Sequence, residues 1–233
     1  MTQDLNRVLV VVAHPDDAEF GAGGTIARWA REGREVFLAV TTNGDKGSAD
    51  PEMTPERLVK IREEEQREAA RVLGVKEVVF LGYPDAFLED SPALRRDIVR
   101  LIRHFRPDIV VTHNPYPGLR RLIPHRDHRV TGMVTLDAVY PLARNRLTFP
   151  ELLAAGLMPH RVAEVYLTGS DEPDTWVDIS ETIDVKIAAL RCHRSQVGNP
   201  EDLDRRVRAA ARQVGEPQGI PYAEAFRRIE LRR

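Results

Sequence analysis

The chain carries one cysteine, Cys192, in 233 residues. No internal disulfide can brace it, and such usage fits a reducing compartment. No apolar run approaches the roughly 20 residues that a membrane span needs. The segment Met1 to Arg7 has no basic leader, so neither an anchor nor a secretory signal is expected and the expected location is the cytoplasm. An excess of one charge is also missing: 34 Lys and Arg stand against 36 Asp and Glu. That balance offers no electrostatic reason for nucleic acid or an anionic membrane as partner. Repeats, low-complexity tracts and linkers are absent, so residues 1–233 are read as a single domain.

What the chain does have is a regular alternation of β-branched runs and amphipathic stretches. Short apolar runs predict strands at 7–13, 35–41, 77–81, 108–112 and 163–168. Periodic stretches predict helices at 22–32, 55–73 and 92–105, with further helices at 127–140 and 180–195. This order implies right-handed crossovers and a mainly parallel sheet covered on both faces. Residues 114–124 form a long irregular connection after a strand, a common place for function.

The most informative stretch follows the first strand, Ala13-His14-Pro15-Asp16-Asp17-Ala18-Glu19-Phe20-Gly21-Ala22-Gly23-Gly24. Pro15 ends the strand, which leaves a histidine and two carboxylates at its mouth, where open α/β sheets bind ligands. Bare charge is costly there unless paired, and a divalent metal resolves the cost. A matching stretch is His125-Arg126-Asp127-His128. His14, Asp17 and one of these two histidines make a set of three ligands with an open fourth position, the pattern of a catalytic zinc site. Fe(II) suits the same ligands. The glycines at 21, 23 and 24 loosely match a dinucleotide turn. However, Ile26 stands at the third glycine position and Thr41-Thr42-Asn43 closes the second strand without an acidic residue. They are read as close helix–sheet packing.

The helix at 55–73 adds a second clue. At about 100° per residue, Leu58, Ile61, Ala69, Val72 and Leu73 share the buried arc, and Arg62 and Glu65 fall inside it. Inward charges are usually paired or functional. Arg62 is therefore either ion-paired with Glu65 or a donor aimed into a pocket.

The block AHPDDAEFGAGGT, the later HRDH, and Arg62-Glu63-Glu64-Glu65 ending in Leu73-Gly74-Val75 resemble the PIG-L/LmbE-like family of zinc-dependent N-acetylglucosaminyl de-N-acetylases. Thr42 to Gly47 (TNGDKG), His193 to Gln196 (HRSQ) and Tyr222 to Phe226 (YAEAF) extend the likeness from about residue 7 to about residue 226. One departure is Arg126, where the family's HPDH motif has proline; the ligand side chains are spared and the turn is altered. The expected fold is α/β, a Rossmann-like, mainly parallel sheet with helices on both faces, whose C-terminal part from about 141 elaborates the substrate side.

The resemblance implies an amidohydrolase. His14, Asp17 and His128 hold Zn2+, with Fe2+ or another divalent ion as alternatives. Asp16 is the general base, and His125 stabilises the oxyanion or protonates the leaving amine. Asp127 orients a ring N–H. Arg62, with Glu65 in support, Asn43 and His193 are the substrate-side residues. The expected partner is a small N-acetylated sugar or related amide, and a homo-oligomer is compatible with the sequence. Two other classes are weighed: a hydrolase of another bond, such as an ester, a phosphoester or the amide of a thiol conjugate, and a non-catalytic metal- or sugar-binding protein. A phosphoesterase would call for a second metal or convergent cations; binding alone would need neither Asp16 nor His125. Substrate choice is assigned to loop 114–124, with Arg120 and Arg121, and to 144–160. His113 is read as a neighbour of the site, His104 as structural, His160 as a loop histidine with no partner pattern, Cys192 as a structural thiol, and Trp29 and Trp176 as packing residues.

Overall fold

The computed structural model describes residues 5–116 and 123–231. Strand β1 (Arg7–Val12), α1 (Asp17–Arg31), β2 (Glu35–Thr42), α2 (Pro55–Leu73), β3 (Glu77–Tyr83), α3 (Pro92–Phe105), β4 (Ile109–His113) and α4 (Arg126–Asp137) make the first two thirds. Then come α5 (Pro150–Ala154), β5 (Glu164–Thr168), β6 (Thr175–Asp178), α6 (Ile183–Cys192), α7 (Arg194–Val197), α8 (Pro200–Gly215) and β7 (Ala223–Glu230). Seven strands form one sheet in the order β3-β2-β1-β4-β5-β7-β6. The first five in that order run parallel, and β7 is antiparallel to both β5 and β6. The mainly parallel α/β architecture matches the expectation from the sequence.

Strand alternation divides β1 between two cores. Leu9 and Val11 pack with α3 and α4, while Val8, Val10 and Val12 pack with α1 and α2. A strand buried on both faces must be apolar throughout, which is why these strands were legible. The bounds of α2 and α3 also agree with expectation, because local chemistry sets them. Thr54 and Ser91 accept the N–H groups of Arg57 and Leu94, proline follows each cap, and Gly74 closes α2 in a left-handed conformation.

Three expectations need correction. The first helix begins at Asp17 rather than 22, and the glycines lie inside it: a Cβ at Gly24 would stand 2.8 Å from Ile179. The helix at 180–195 is shorter, Ile183–Cys192, followed by the separate turn α7. The elements α5, α8, β6 and β7 went unread; α8 and β7 are rich in charge, the apolar residues of α8 forming a small third core with Ile179 and Ile187, and Phe226 of β7 joining the core beneath α1. Among the described residues no helix is long and apolar enough to cross a membrane.

Helix α4 sits unusually close to β4. A Cβ at Gly132 would lie 2.3 Å from the His113 carbonyl oxygen. Gly132→Ala is expected to push α4 off the sheet and lower stability by roughly 3 kcal/mol, at the upper end for overpacking. A melting curve checks this; an unchanged melting temperature would show that the helix can shift freely.

Candidate metal centre

The chain runs outward from β1 through β2 to β3 and then returns past β1 to β4. The loops leaving β1 and β4 therefore diverge and open a crevice at the strand ends. Residues 13–17 turn sharply there. Asp16 adopts a left-handed conformation (φ 97°), and α1 starts at the next residue. That backbone region is costly for a non-glycine residue and persists only where neighbours hold it. Arg62 donates to Pro15 O at 2.7 Å, to Gly44 O at 3.0 Å and to the Asp16 carboxylate at 3.3 Å. Gln66 accepts the Asp16 N–H at 3.0 Å and donates to Glu19 at 2.8 Å.

Three donors converge beside this turn. His14 Nδ1 lies 3.2 Å from His128 Nε2 and 3.4 Å from Asp17 Oδ2, and Asp17 Oδ1 lies 3.1 Å from His128 Nε2. Donors around a tetrahedral ion with bonds of about 2.0–2.1 Å stand about 3.3–3.4 Å apart, so the set has the spacing of a metal's ligands. His14 Nε2 faces the other way, 3.1 Å from Asp85 and 3.3 Å from Asp127. These carboxylates hold the ring proton on Nε2 and leave the Nδ1 lone pair for an ion. Asp127 is fully buried and also accepts the N–H groups of Ala86 and Leu88.

The electrostatics agree. Burial pulls the His14 pKa down, but Asp17 and Asp85 outweigh it and push it up to about 10, so the surround favours positive charge. Burial pushes Asp17 up, yet His113, His128 and His14 together hold it well below the usual carboxylate range. Asp16 moves the opposite way: burial and the Asp17 charge push it up, with Arg62 as the main counterweight. Two adjacent carboxylates thus have unlike environments. The donor chemistry and spacing fit a small divalent ion.

His125 caps α4, its Nδ1 accepting the Asp127 N–H at 3.2 Å. That bond leaves the neutral ring's proton on Nε2, and burial together with the His14 charge keeps its pKa below the usual value. His113 stacks on His128 at 4.2 Å and lies 3.3 Å from Asp17, forming a wall of the site. Arg126 donates to Leu88 O at 3.1 Å, tying the turn to the loop after β3 by a side chain.

His14, Asp16, Asp17, His125, Asp127 and His128 are thus brought together from two distant stretches, with Arg62 behind Asp16. Other expectations are corrected. Glu65 does not pair with Arg62; it accepts the Ser195 N–H and hydroxyl. His193 is fully buried behind α1, 3.3 Å from Glu19, and is no pocket residue. Asn43 accepts the Asp45 N–H within its own loop, a contact that does not conflict with a substrate-side place. Segment 144–160 is held away from the centre: Arg103 binds the carbonyls of Leu142, Ala143, Asn145 and Thr148. Arg120 and Arg121 lie outside the described residues. Trp176 lines a cavity of about 640 Å³ that reaches Asp17, His113 and His128. Asp85 and Gln66 were missed. A Pro-Asp pair directly after a strand, as at Pro15-Asp16, was the available signal for Asp85.

The GlcNAc-PI de-N-acetylase (PIG-L) family model matches residues 9–139, more than half of the chain. A diacetylchitobiose deacetylase of Thermococcus kodakarensis is 35% identical over 231 residues, spanning 96% of this chain and 83% of that protein. A 1D-myo-inositol 2-acetamido-2-deoxy-alpha-D-glucopyranoside deacetylase of a Mycobacterium species is 27% identical, spanning 84% of this chain and 76% of its own. Among solved structures, N,N'-diacetylchitobiose deacetylase from Pyrococcus horikoshii superposes with a TM-score of 0.91 at 32% identity, over 98% of this chain and 85% of that one.

Proposed function

The chain belongs to the PIG-L family, and on that premise we propose that it hydrolyses the N-acetyl amide of a small amino sugar at a divalent metal centre. One observation carries the reading: His14 Nδ1, His128 Nε2 and Asp17 converge at ligand spacing while Asp16 stands beside them with a raised pKa. Zinc is the proposed ion, with His14, Asp17 and His128 as its ligands. When bound it supplies a Lewis acid that polarises the carbonyl and makes water more acidic. Asp16 takes the proton of the attacking water, a role suited to a carboxylate whose pKa is raised. His125, with its proton on Nε2, donates to the oxygen that gains charge or to the leaving amine. Asp127 and Asp85 keep His14 in the right tautomer. The Thermococcus and Mycobacterium relatives act on 2-acetamido sugars, so a glycoside of N-acetylglucosamine is the proposed substrate class. A cytoplasmic location is part of the same proposal, supported by the lone cysteine.

Acetate release from N,N'-diacetylchitobiose tests the reading. Release is expected with zinc-loaded protein, is abolished by a chelator and returns with zinc. No acetate from this or any other N-acetylated amino sugar would overturn it.

Arg62 is assigned to positioning rather than to substrate contact, since both terminal nitrogens of its guanidinium are engaged by Pro15, Gly44 and Asp16. Arg62→Ala is expected to lower kcat about 10–100-fold with KM within about twofold, because a misplaced catalytic group costs rate. Stability falls by roughly 3 kcal/mol as a buried partner is stranded. Lysine does not restore activity, lacking the forked donors. A raised KM with unchanged kcat would return Arg62 to the substrate.

A further inference from the structure

The cavity beside the donors is left unused by the deacetylation reading. At about 640 Å³ it lies within the range of small-molecule sites, and an acetyl group ends in a single methyl. Asp17, His113 and His128 form one end, and the rest of the wall comes from the start of α1, the end of β5, and β6, α6, α8 and β7. That wall is mostly apolar, with Phe20, Trp176, Val207, Ala210 and Val214 facing the space. Phe20 is 44% exposed, an uncovered aromatic ring one turn from the metal donors. The two charged side chains deep in the wall neutralise each other. Lys186 Nζ lies 2.6 Å from Glu224 and 2.8 Å from Phe20 O, and Glu224 also accepts the N–H groups of Gly24 and Thr25. Neither is left over for a charged ligand.

The opposite side of the donors is polar. Asp16, Arg62, Asp85 and His125 all lie outside the cavity wall, and they cluster around the β1, β2 and β3 ends. A scissile amide has two unlike halves, a polyhydroxylated sugar on nitrogen and an alkyl chain on the carbonyl carbon. With His125 on the polar side to serve the leaving amine, the sugar belongs there and the alkyl chain points toward His113 and the apolar wall. We propose that this cavity receives the acyl chain of the substrate, so that the enzyme removes N-acyl groups longer than acetyl from amino sugars. The proposal rests on the amide-hydrolysis reading above. The chemistry is unchanged: the water oxygen bonds to the carbonyl carbon, the C–N bond breaks, a proton passes to nitrogen, and a fatty carboxylate leaves with the free amine.

Calorimetry on the zinc-loaded full chain, with acetohydroxamate and hexanohydroxamate as probes, tests the cavity without turnover. Each methylene transferred to an apolar site is worth about fourfold in affinity, so the longer probe is expected to bind at least about tenfold more tightly. Ala210→Phe places a ring into the cavity from an exposed position on α8 and is expected to bring the two probes within about twofold. Equal affinities in the unmodified protein would overturn the proposal. In the kinetic arm, kcat/KM for N-hexanoylglucosamine is expected to exceed that for N-acetylglucosamine; a tenfold deficit would also overturn it. Tighter hexanohydroxamate binding that Ala210→Phe removes, with neither amide hydrolysed, would uphold the cavity and sink the hydrolysis reading alone.

Discussion

Asp16→Asn is expected to keep the fold and the bound metal while kcat falls about 10²–10⁴-fold, the range for removing a general acid–base group. The substitution is nearly isosteric. The backbone hold on residue 16 survives it, because Gln66 binds the amide N–H and Arg62 binds the preceding carbonyl. What is lost is the ability to accept a proton. Steady-state kinetics alongside elemental analysis check the outcome. Should the variant instead lose its metal, with activity following occupancy, the roles of Asp16 and Asp17 have been exchanged.

His14→Ala is expected to take bound zinc from about one ion per chain to near none, and turnover with it. One ring serves both layers of the site: Nδ1 faces Asp17 and His128, and Nε2 separates Asp85 from Asp127. Removing it deletes a ligand and leaves two carboxylates facing each other without the cation between them. Stability is expected to fall by roughly 3 kcal/mol. A ligand that binds only the folded state raises the melting temperature, so added zinc should raise it for the unmodified protein and leave this variant unmoved. Full zinc occupancy in His14→Ala would remove His14 from the set.

Much of this site was legible from the chain alone because its residues are clustered in sequence. His14, Asp16 and Asp17 fall in one turn and His125, Asp127 and His128 in another. Each turn follows a strand whose unbroken apolar run announces burial on both faces. Arg62 stood out for a similar reason, a charge inside the apolar arc of an otherwise regular helix. Its partner did not. Helical spacing offered Glu65, three residues on, whereas the fold supplied Pro15, Gly44 and Asp16 from two other loops and gave Glu65 to Ser195.

By itself, then, the sequence determined the alternating α/β pattern and the caps of α2 and α3, and it carried the candidate donors His14, Asp17 and His128 as an expectation, since each depends on periodicity or on residues within a few positions of one another. Tertiary structure alone decided which carboxylates steady His14, what Arg62 holds, that His193 lies behind α1, and that Trp176 faces a cavity. Those outcomes depend on contacts between residues 18 to 200 positions apart, such as Arg62 with Gly44 and Gly24 with Glu224. No local pattern encodes such contacts, because they arise only when the helices and the C-terminal strands pack around the parallel sheet.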